Sequence, residues 1–208
     1  MKVGVAMVPS PQMNQYLVEL QKKIMPFCPL HPLLGTEFNL PHITLLQGRF
    51  KNNFNWLNLI SDLRDYCTQQ KYSLEFNLSE LEYQPPGWYF LTLSPNVIFG
   101  EAHIFVFERL KDSIYLTEED RQKDTINYSS LEKENYFKYG YRYIGDAFYP
   151  HITLGRSIDK SRIQDEAYMI NTVKVFTSKN IVGTIQKITI YEMGENGSHA
   201  NTLYYVNI

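Results

Sequence analysis

The chain has 208 residues, of which 44% are hydrophobic and 14% aromatic, enough for one substantial core and too apolar for a disordered segment. A formal net charge of −2 excludes a general nucleic-acid coat protein, which would be strongly basic. Any nucleic-acid ligand is therefore expected to be short, a strand end or a small nucleotide.

The elements follow in chain order. Residues 3–8 are apolar and β-rich, as in a central strand. Pro9 breaks this run, which is too short for a signal peptide. Ser10 and Pro11 form a helix start, and Tyr16, Leu17, Leu20 and Ile24 recur at helical spacing until Pro26. Residues 26–41 hold Pro26, Pro29, Pro32 and Pro41 and are expected to be a long functional loop. A strand is predicted over 42–50. A helix follows, marked by Trp56, Leu57, Leu59, Ile60 and Leu63 and running to about residue 70.

Residues 72–83 alternate through Leu74, Phe76, Leu78 and Leu81. Pro85, Pro86 and Gly87 signal a turn, and 88–93 return as the second strand of a hairpin. A helix over 97–111 is expected to bury Ile98, Ala102, Phe105, Val106 and Leu110. Residues 112–140 are polar, charged and rich in tyrosine, an excursion from the core. Beyond them come a strand at 149–154, a helix at 159–171, and strands at 173–176, 181–191 and 203–208. Gly194 to Gly197 form a turn before the last of these. Without regular βαβ alternation, this order predicts an α+β fold with a largely antiparallel sheet, in a single domain spanning 1–208.

No apolar run approaches the roughly 20 residues of a membrane span. Cys28 and Cys67 are far apart and in no metal-like spacing, as expected of reduced thiols. A soluble, cytoplasmic protein is expected. There is no His-Glu-x-x-His, no Cys-x-x-Cys and no phosphate-binding Gly-x-x-x-x-Gly-Lys-Ser/Thr loop, so no metal and no cofactor is expected.

Chemistry concentrates in two nearly identical segments, Pro41-His42-Ile43-Thr44-Leu45 and Pro150-His151-Ile152-Thr153-Leu154. A random match of five specified residues lies far below roughly one in ten thousand. One histidine on a half-buried strand is more often a core residue than a catalyst, and the repetition tips the balance toward function. In a strand, residues i and i+2 share a face. His42 then sits with Thr44 and His151 with Thr153, while Ile43, Leu45, Ile152 and Leu154 turn to the core. If the two strands face each other across a cleft, two imidazoles and two hydroxyls meet in one small space. Hydroxyls donate to phosphate oxygens, and two imidazoles supply one acid and one base near neutral pH.

Other residues are secondary candidates. His31, His103 and His199 lack a threonine two residues on and are expected to be structural or exposed. Arg156 and, less so, Arg49 lie just past the motifs and are candidate phosphate partners. Tyr141, Tyr143, Phe148, Tyr149, Trp88 and Tyr89 are core packing or a wall on which a base stacks, and Tyr149 adjoins the second motif.

The twin His-x-Thr motifs, each followed by an apolar residue, with Arg156 two residues past the second, resemble the 2H phosphoesterases. That superfamily includes the LigT-like 2′,3′-cyclic phosphodiesterases, once called RNA 2′–5′ ligases. The resemblance covers the chain order from the first strand to the last hairpin. It implies two pseudo-symmetric lobes, each an antiparallel sheet with outer helices, and a cleft carrying both motifs. It implies a metal-independent phosphoric diester hydrolase that opens a 2′,3′-cyclic phosphate on a nucleotide or RNA end. His42 is then the acid and His151 the base, roles that the residues alone do not distinguish, and Thr44 and Thr153 hold the phosphate oxygens. Two further readings stay open: cleavage of 2′–5′ oligoadenylate or cyclic-nucleotide signals, and a non-catalytic module that binds RNA ends or nucleotides. The insert at 112–140 lengthens the gap between the motifs and is placed to roof or narrow the cleft.

Overall fold

A computed structural model of the chain describes residues 2–69, 74–85, 87–157 and 181–208. Its strands are β1 (Lys2–Pro9), β2 (Leu30–His31), β3 (Ile43–Arg49), β4 (Glu75–Gln84), β5 (Trp88–Leu93), β6 (His151–Ser157), β7 (Ile181–Met193) and β8 (His199–Asn207). Its helices are α1 (Pro11–Ile24), α2 (Trp56–Gln69), α3 (Val97–Leu110), α4 (Glu118–Arg121) and α5 (Ser130–Tyr139). The helix expected at 159–171, the strand at 173–176 and Pro86 lie outside the described residues. No helix among the described residues is long and apolar enough to cross a membrane.

The architecture is α+β, and every strand pair is antiparallel. The strands run β1-β3-β6-β5-β4-β7-β8, with β2 on β6, and β1 also pairs with β7. The sheet therefore closes on itself. One lobe holds β1, β3, β7 and β8, and the other holds β2, β4, β5 and β6. They join where β4 runs beside the start of β7, and at one residue pair between β3 and β6, Ile43 opposite Ile152. The lobes are thus two halves of one closed sheet, and the two motif strands meet between them at that single pair.

The helices follow from capping and period. Ser10 accepts from the Met13 N–H, Pro11 opens α1, and Leu17, Leu20 and Ile24 are buried as expected. Asn96 caps α3 through the Ile98 N–H. The buried arc of α3 is Phe99, Ala102, His103, Val106, Phe107 and Leu110, rotated from the expected stripe so that Ile98 and Phe105 are only partly buried. A polar residue lies in that arc because its imidazole has two backbone partners to satisfy.

Those partners reveal a second repeat. The register of β1 against β3 slips at Leu45, and that of β5 against β6 slips at Leu154, so the last residue of each motif is a β-bulge. Each bulged carbonyl is met by a buried side chain from a helix. His103 Nδ1–H donates to Leu45 O at 2.7 Å, and Gln21 Nε2–H donates to Leu154 O at 2.6 Å. The far end of each side chain ties down a loop. His103 Nε2 accepts from the Gly145 N–H, while Gln21 donates to Pro32 O and accepts from the Leu34 N–H. Gly155, beside the second bulge, has φ +141, a conformation that other residues rarely adopt. Each bulge flips the alternation, so Gln47 and Arg49 in β3 and Arg156 in β6 line the same cavity as the motif residues.

His103→Leu and Gln21→Leu each leave a buried carbonyl unpaired. Each is expected to destabilise the fold by about 1–3 kcal/mol, read as a lower urea midpoint with unchanged slope. Wild-type midpoints would show that the bulges do not depend on these side chains.

Candidate active site

The site is built around the Ile43–Ile152 pair. Antiparallel register carried outward from that pair sets His42 opposite Thr153 and Thr44 opposite His151. Ile43, Leu45, Ile152 and Leu154 are fully buried on the core side. His42, Thr44, His151 and Thr153 line one cavity of about 610 Å³ on the other.

Both imidazoles are held alike. His42 Nδ1–H donates to Leu40 O at 2.8 Å, and His151 Nδ1–H donates to Tyr149 O at 2.7 Å. A carbonyl only accepts, so the Nδ1 proton is fixed and Nε2 is the nitrogen left for chemistry. The proline between carbonyl and histidine, Pro41 or Pro150, restricts φ and fixes the approach of that carbonyl. Burial pushes both imidazoles down to about 4, against the carbonyl bonds, which push them up. For His151, Arg142 and His42 push down further, and Glu82 pushes up. Both are therefore neutral at pH 7 in the free protein, and an anion between them favours protonation.

The two half-sites differ in what stands beside the histidine. His42 Nε2 lies 3.2 Å from the Tyr191 hydroxyl, and the buried His199 ring stacks on Tyr191 at 4.3 Å. His199 Nε2 is 3.0 Å from Thr189 Oγ1. His151 instead has the Phe90 ring at 4.1 Å and Tyr143 at 5.4 Å. Among the described residues no group of three His, Cys, Asp or Glu is placed to hold a metal ion.

The remaining sequence candidates separate. Arg156 lines the cavity, with its guanidinium 5.4 Å from the centre of the Trp88 ring, its register partner in β5. Arg49 lines it too, but is engaged by Asp120 at 2.7 Å and Glu119 at 2.8 Å, so its charge is spent on holding α4 to β3. The Tyr149 ring is not part of the lining. Its carbonyl holds His151 and its hydroxyl donates to Glu82, while Trp88, Phe90, Tyr141 and Tyr143 are among the aromatic residues of the lining. The insert is a wall of the cavity through Tyr115, Asp120, Lys123, Tyr128 and Tyr136. His103 and His199 are both buried, and neither is exposed.

Residue patterns did not mark Tyr191, Gln47 and Phe90. Gln47 and Arg156 share one offset, five residues past each histidine, which is a signal the repeat itself carries. Tyr191 and Phe90 have none, because they come from other strands.

The buried histidines make stability depend on pH. In the unfolded chain they protonate as pH falls below the ordinary 6.5, while in the fold His42 and His151 resist to about 4 and His199 to about 3. The unfolded state then binds more protons, so stability falls as pH drops through this window. The urea midpoint is expected to decline from pH 7 to 5, with net proton uptake on unfolding near pH 5, to which His103, also pushed down by burial, contributes. A flat midpoint would mean that these rings are not held neutral.

No family model matches the chain, and no curated protein matches it. Among solved structures, TT0787 of Thermus thermophilus superposes with a TM-score of 0.59 at 16% identity, over 100% of this chain and 97% of that one. Escherichia coli LigT complexed with 3′-AMP superposes with a TM-score of 0.58 at 10% identity, again over 100% of this chain and 97% of that one. The chain has the LigT-like fold.

Proposed function

We propose that this chain is a 2H phosphoesterase, a metal-independent phosphodiesterase that opens a 2′,3′-cyclic phosphate on a nucleotide or RNA end. The observation that carries the reading is the matched presentation of two Nε2 atoms and two threonine hydroxyls to one cavity, each imidazole locked through Nδ1. LigT, whose fold this chain shares, forms a complex with 3′-AMP.

In the reaction a water oxygen attacks phosphorus and its proton passes to His151 Nε2. The bond from phosphorus to one ribose oxygen breaks, and that oxygen takes the proton from His42 Nε2–H. The product is a phosphomonoester beside a free hydroxyl. An anionic phosphate beside the ring raises the His42 pKa, which favours the loaded acid. Thr44 and Thr153 donate to the nonbridging oxygens as charge builds there, and Arg156 adds a cation at the rim. Phe90 and Trp88 offer faces for a base.

A panel of 2′,3′-cyclic nucleotides, 2′–5′ oligoadenylate and 3′–5′ cyclic nucleotides tests this. Turnover is expected on the 2′,3′-cyclic compounds, unchanged in excess chelator, with a bell-shaped pH dependence of kcat. His42→Ala and His151→Ala are each expected to lower kcat by roughly 10²–10⁴. Binding without turnover across the panel would make the protein a nucleotide-binding module, and loss of activity in chelator would end the metal-free mechanism.

The insert favours a second reading, a substrate longer than one nucleotide such as 2′–5′ oligoadenylate. It places Lys123 and Tyr128 on the cavity wall, with the ammonium 5.9 Å from the ring. Under that reading Lys123→Ala and Tyr128→Ala raise KM for an oligonucleotide and leave a mononucleotide unaffected. Equal losses on both would assign the insert to the catalytic site itself.

A further inference from the structure

We infer that Tyr191 is a positioning residue that couples the protonation of His42 to the direction in which Thr44 donates. The use of this coupling rests on the phosphoesterase reading above.

The ring of Tyr191 reaches the site from β7, across β1, and the backbone makes room for it. Gly4 lies between Tyr191 and Gln47 in the sheet, and a Cβ there would fall 2.2 Å from Tyr191 Cζ. His199 supports the other face of the ring, with planes 13° apart. The hydroxyl has two hydrogen-bond partners, Gln47 Nε2 at 2.6 Å and His42 Nε2 at 3.2 Å, and Thr44 lies between these two residues on the cavity side of β3, beside the hydroxyl.

A phenol offers one hydrogen and two lone pairs. Gln47 Nε2 also donates to Gly197 O at 2.8 Å, which identifies it as the amide nitrogen, so it must donate to Tyr191 as well. One lone pair is thereby taken. The remaining hydrogen and lone pair divide between His42 and Thr44 in two ways. With His42 neutral, Tyr191 O–H donates to Nε2 and Thr44 O–H donates to Tyr191, which turns the threonine hydrogen away from the cleft. With His42 protonated, Nε2–H donates to Tyr191, Tyr191 O–H donates to Thr44, and the Thr44 hydrogen is free for a phosphate oxygen. An anion in the cleft draws on both members of the second arrangement together. The Tyr191 oxygen accepts the Nε2 hydrogen until a substrate oxygen competes for it. Among the described residues no hydroxyl is bonded to His151 Nε2, and Phe90 lies beside that ring, so the coupling belongs to the His42 half-site.

The titratable groups facing Tyr191 and His42 are His199 of β8, Tyr141 ahead of β6, and His151 of β6. From β1 and β3, Gly4, Thr44 and Gln47 lie at the hydroxyl, and the charged Lys2 and Arg49 line the same cavity.

The test is NMR titration of isotope-labelled histidines in the wild type, Tyr191→Phe, Thr44→Val and the double variant, with and without saturating inorganic phosphate. Tyr191→Phe keeps the ring over Gly4 and removes only the hydroxyl. It is expected to lower the His42 pKa by about one unit, the worth of a hydrogen bond to a charged group, and to move His151 less and upward, because a less charged His42 repels its proton less. Thr44→Val is expected to lower His42 in the same direction, because the Tyr191 hydrogen then has no acceptor when His42 is protonated. The double variant is expected to match Tyr191→Phe, since the two act in one chain. His42 titrating alike in the wild type and Tyr191→Phe, or both histidines falling by the same amount, would overturn the coupling. If Tyr191→Phe fails to fold, Thr44→Val alone decides through the difference between His42 and His151. A protein that turns over no phosphodiester would refute the functional reading, while these titrations would still settle the coupling.

Discussion

Two strands from opposite lobes meet at one residue pair, Ile43 and Ile152, and the rest of the site is arranged about that contact. Both isoleucines are fully buried, so their strands cannot slip by one residue without turning the motif side chains into the core. The antiparallel relation makes each histidine the neighbour of the other lobe's threonine. A near two-fold arrangement of catalytic-type groups thus arises from two copies of one pentapeptide, with no separate device to bring them together. The closed circuit of strands holds this single pair in place, since the lobes are also joined where β4 meets β7.

The bulges at Leu45 and Leu154 extend the site beyond the histidines and threonines. A bulge takes a carbonyl off the ladder, and a buried carbonyl needs a donor. His103 and Gln21 meet that need from two different helices, and each secures a loop that leads to a motif or lies beside one. This accounts for the buried histidine of α3 and the buried glutamine of α1. The flip in alternation also sends the residue five positions past each histidine to the cleft. In one lobe that residue is Gln47, which anchors Tyr191, and in the other it is Arg156, which carries charge.

The lobes are alike in backbone and unlike in chemistry. His42 stands by a hydroxyl network and His151 by an aromatic face. The insert adds to the asymmetry, because it is fastened to β3 through Arg49, Asp120 and Glu119 and walls the cavity on that side. The Arg49 charge is neutralised by these two carboxylates, while Arg156 brings its cation to the lining from the other lobe and Lys123 brings one from the insert.

Local patterns in the sequence determined much of this protein. The i, i+2 alternation put His42 with Thr44 and His151 with Thr153 and sent Ile43, Leu45, Ile152 and Leu154 inward. Ser10-Pro11 marked the start of α1, and the alternation around Gly87 marked the β4–β5 hairpin. These features depend on neighbours within a few residues, which a period of 2 or 3.6 records. Only the tertiary structure decided that the motif strands are adjacent, that Tyr149 faces Glu82 and not the cleft, that Arg49 serves the insert, and that Tyr191 reaches His42 over Gly4. Tyr191 and His42 are 149 positions apart in the chain, and a pairing at that distance is set by strand order and register, which no local period encodes.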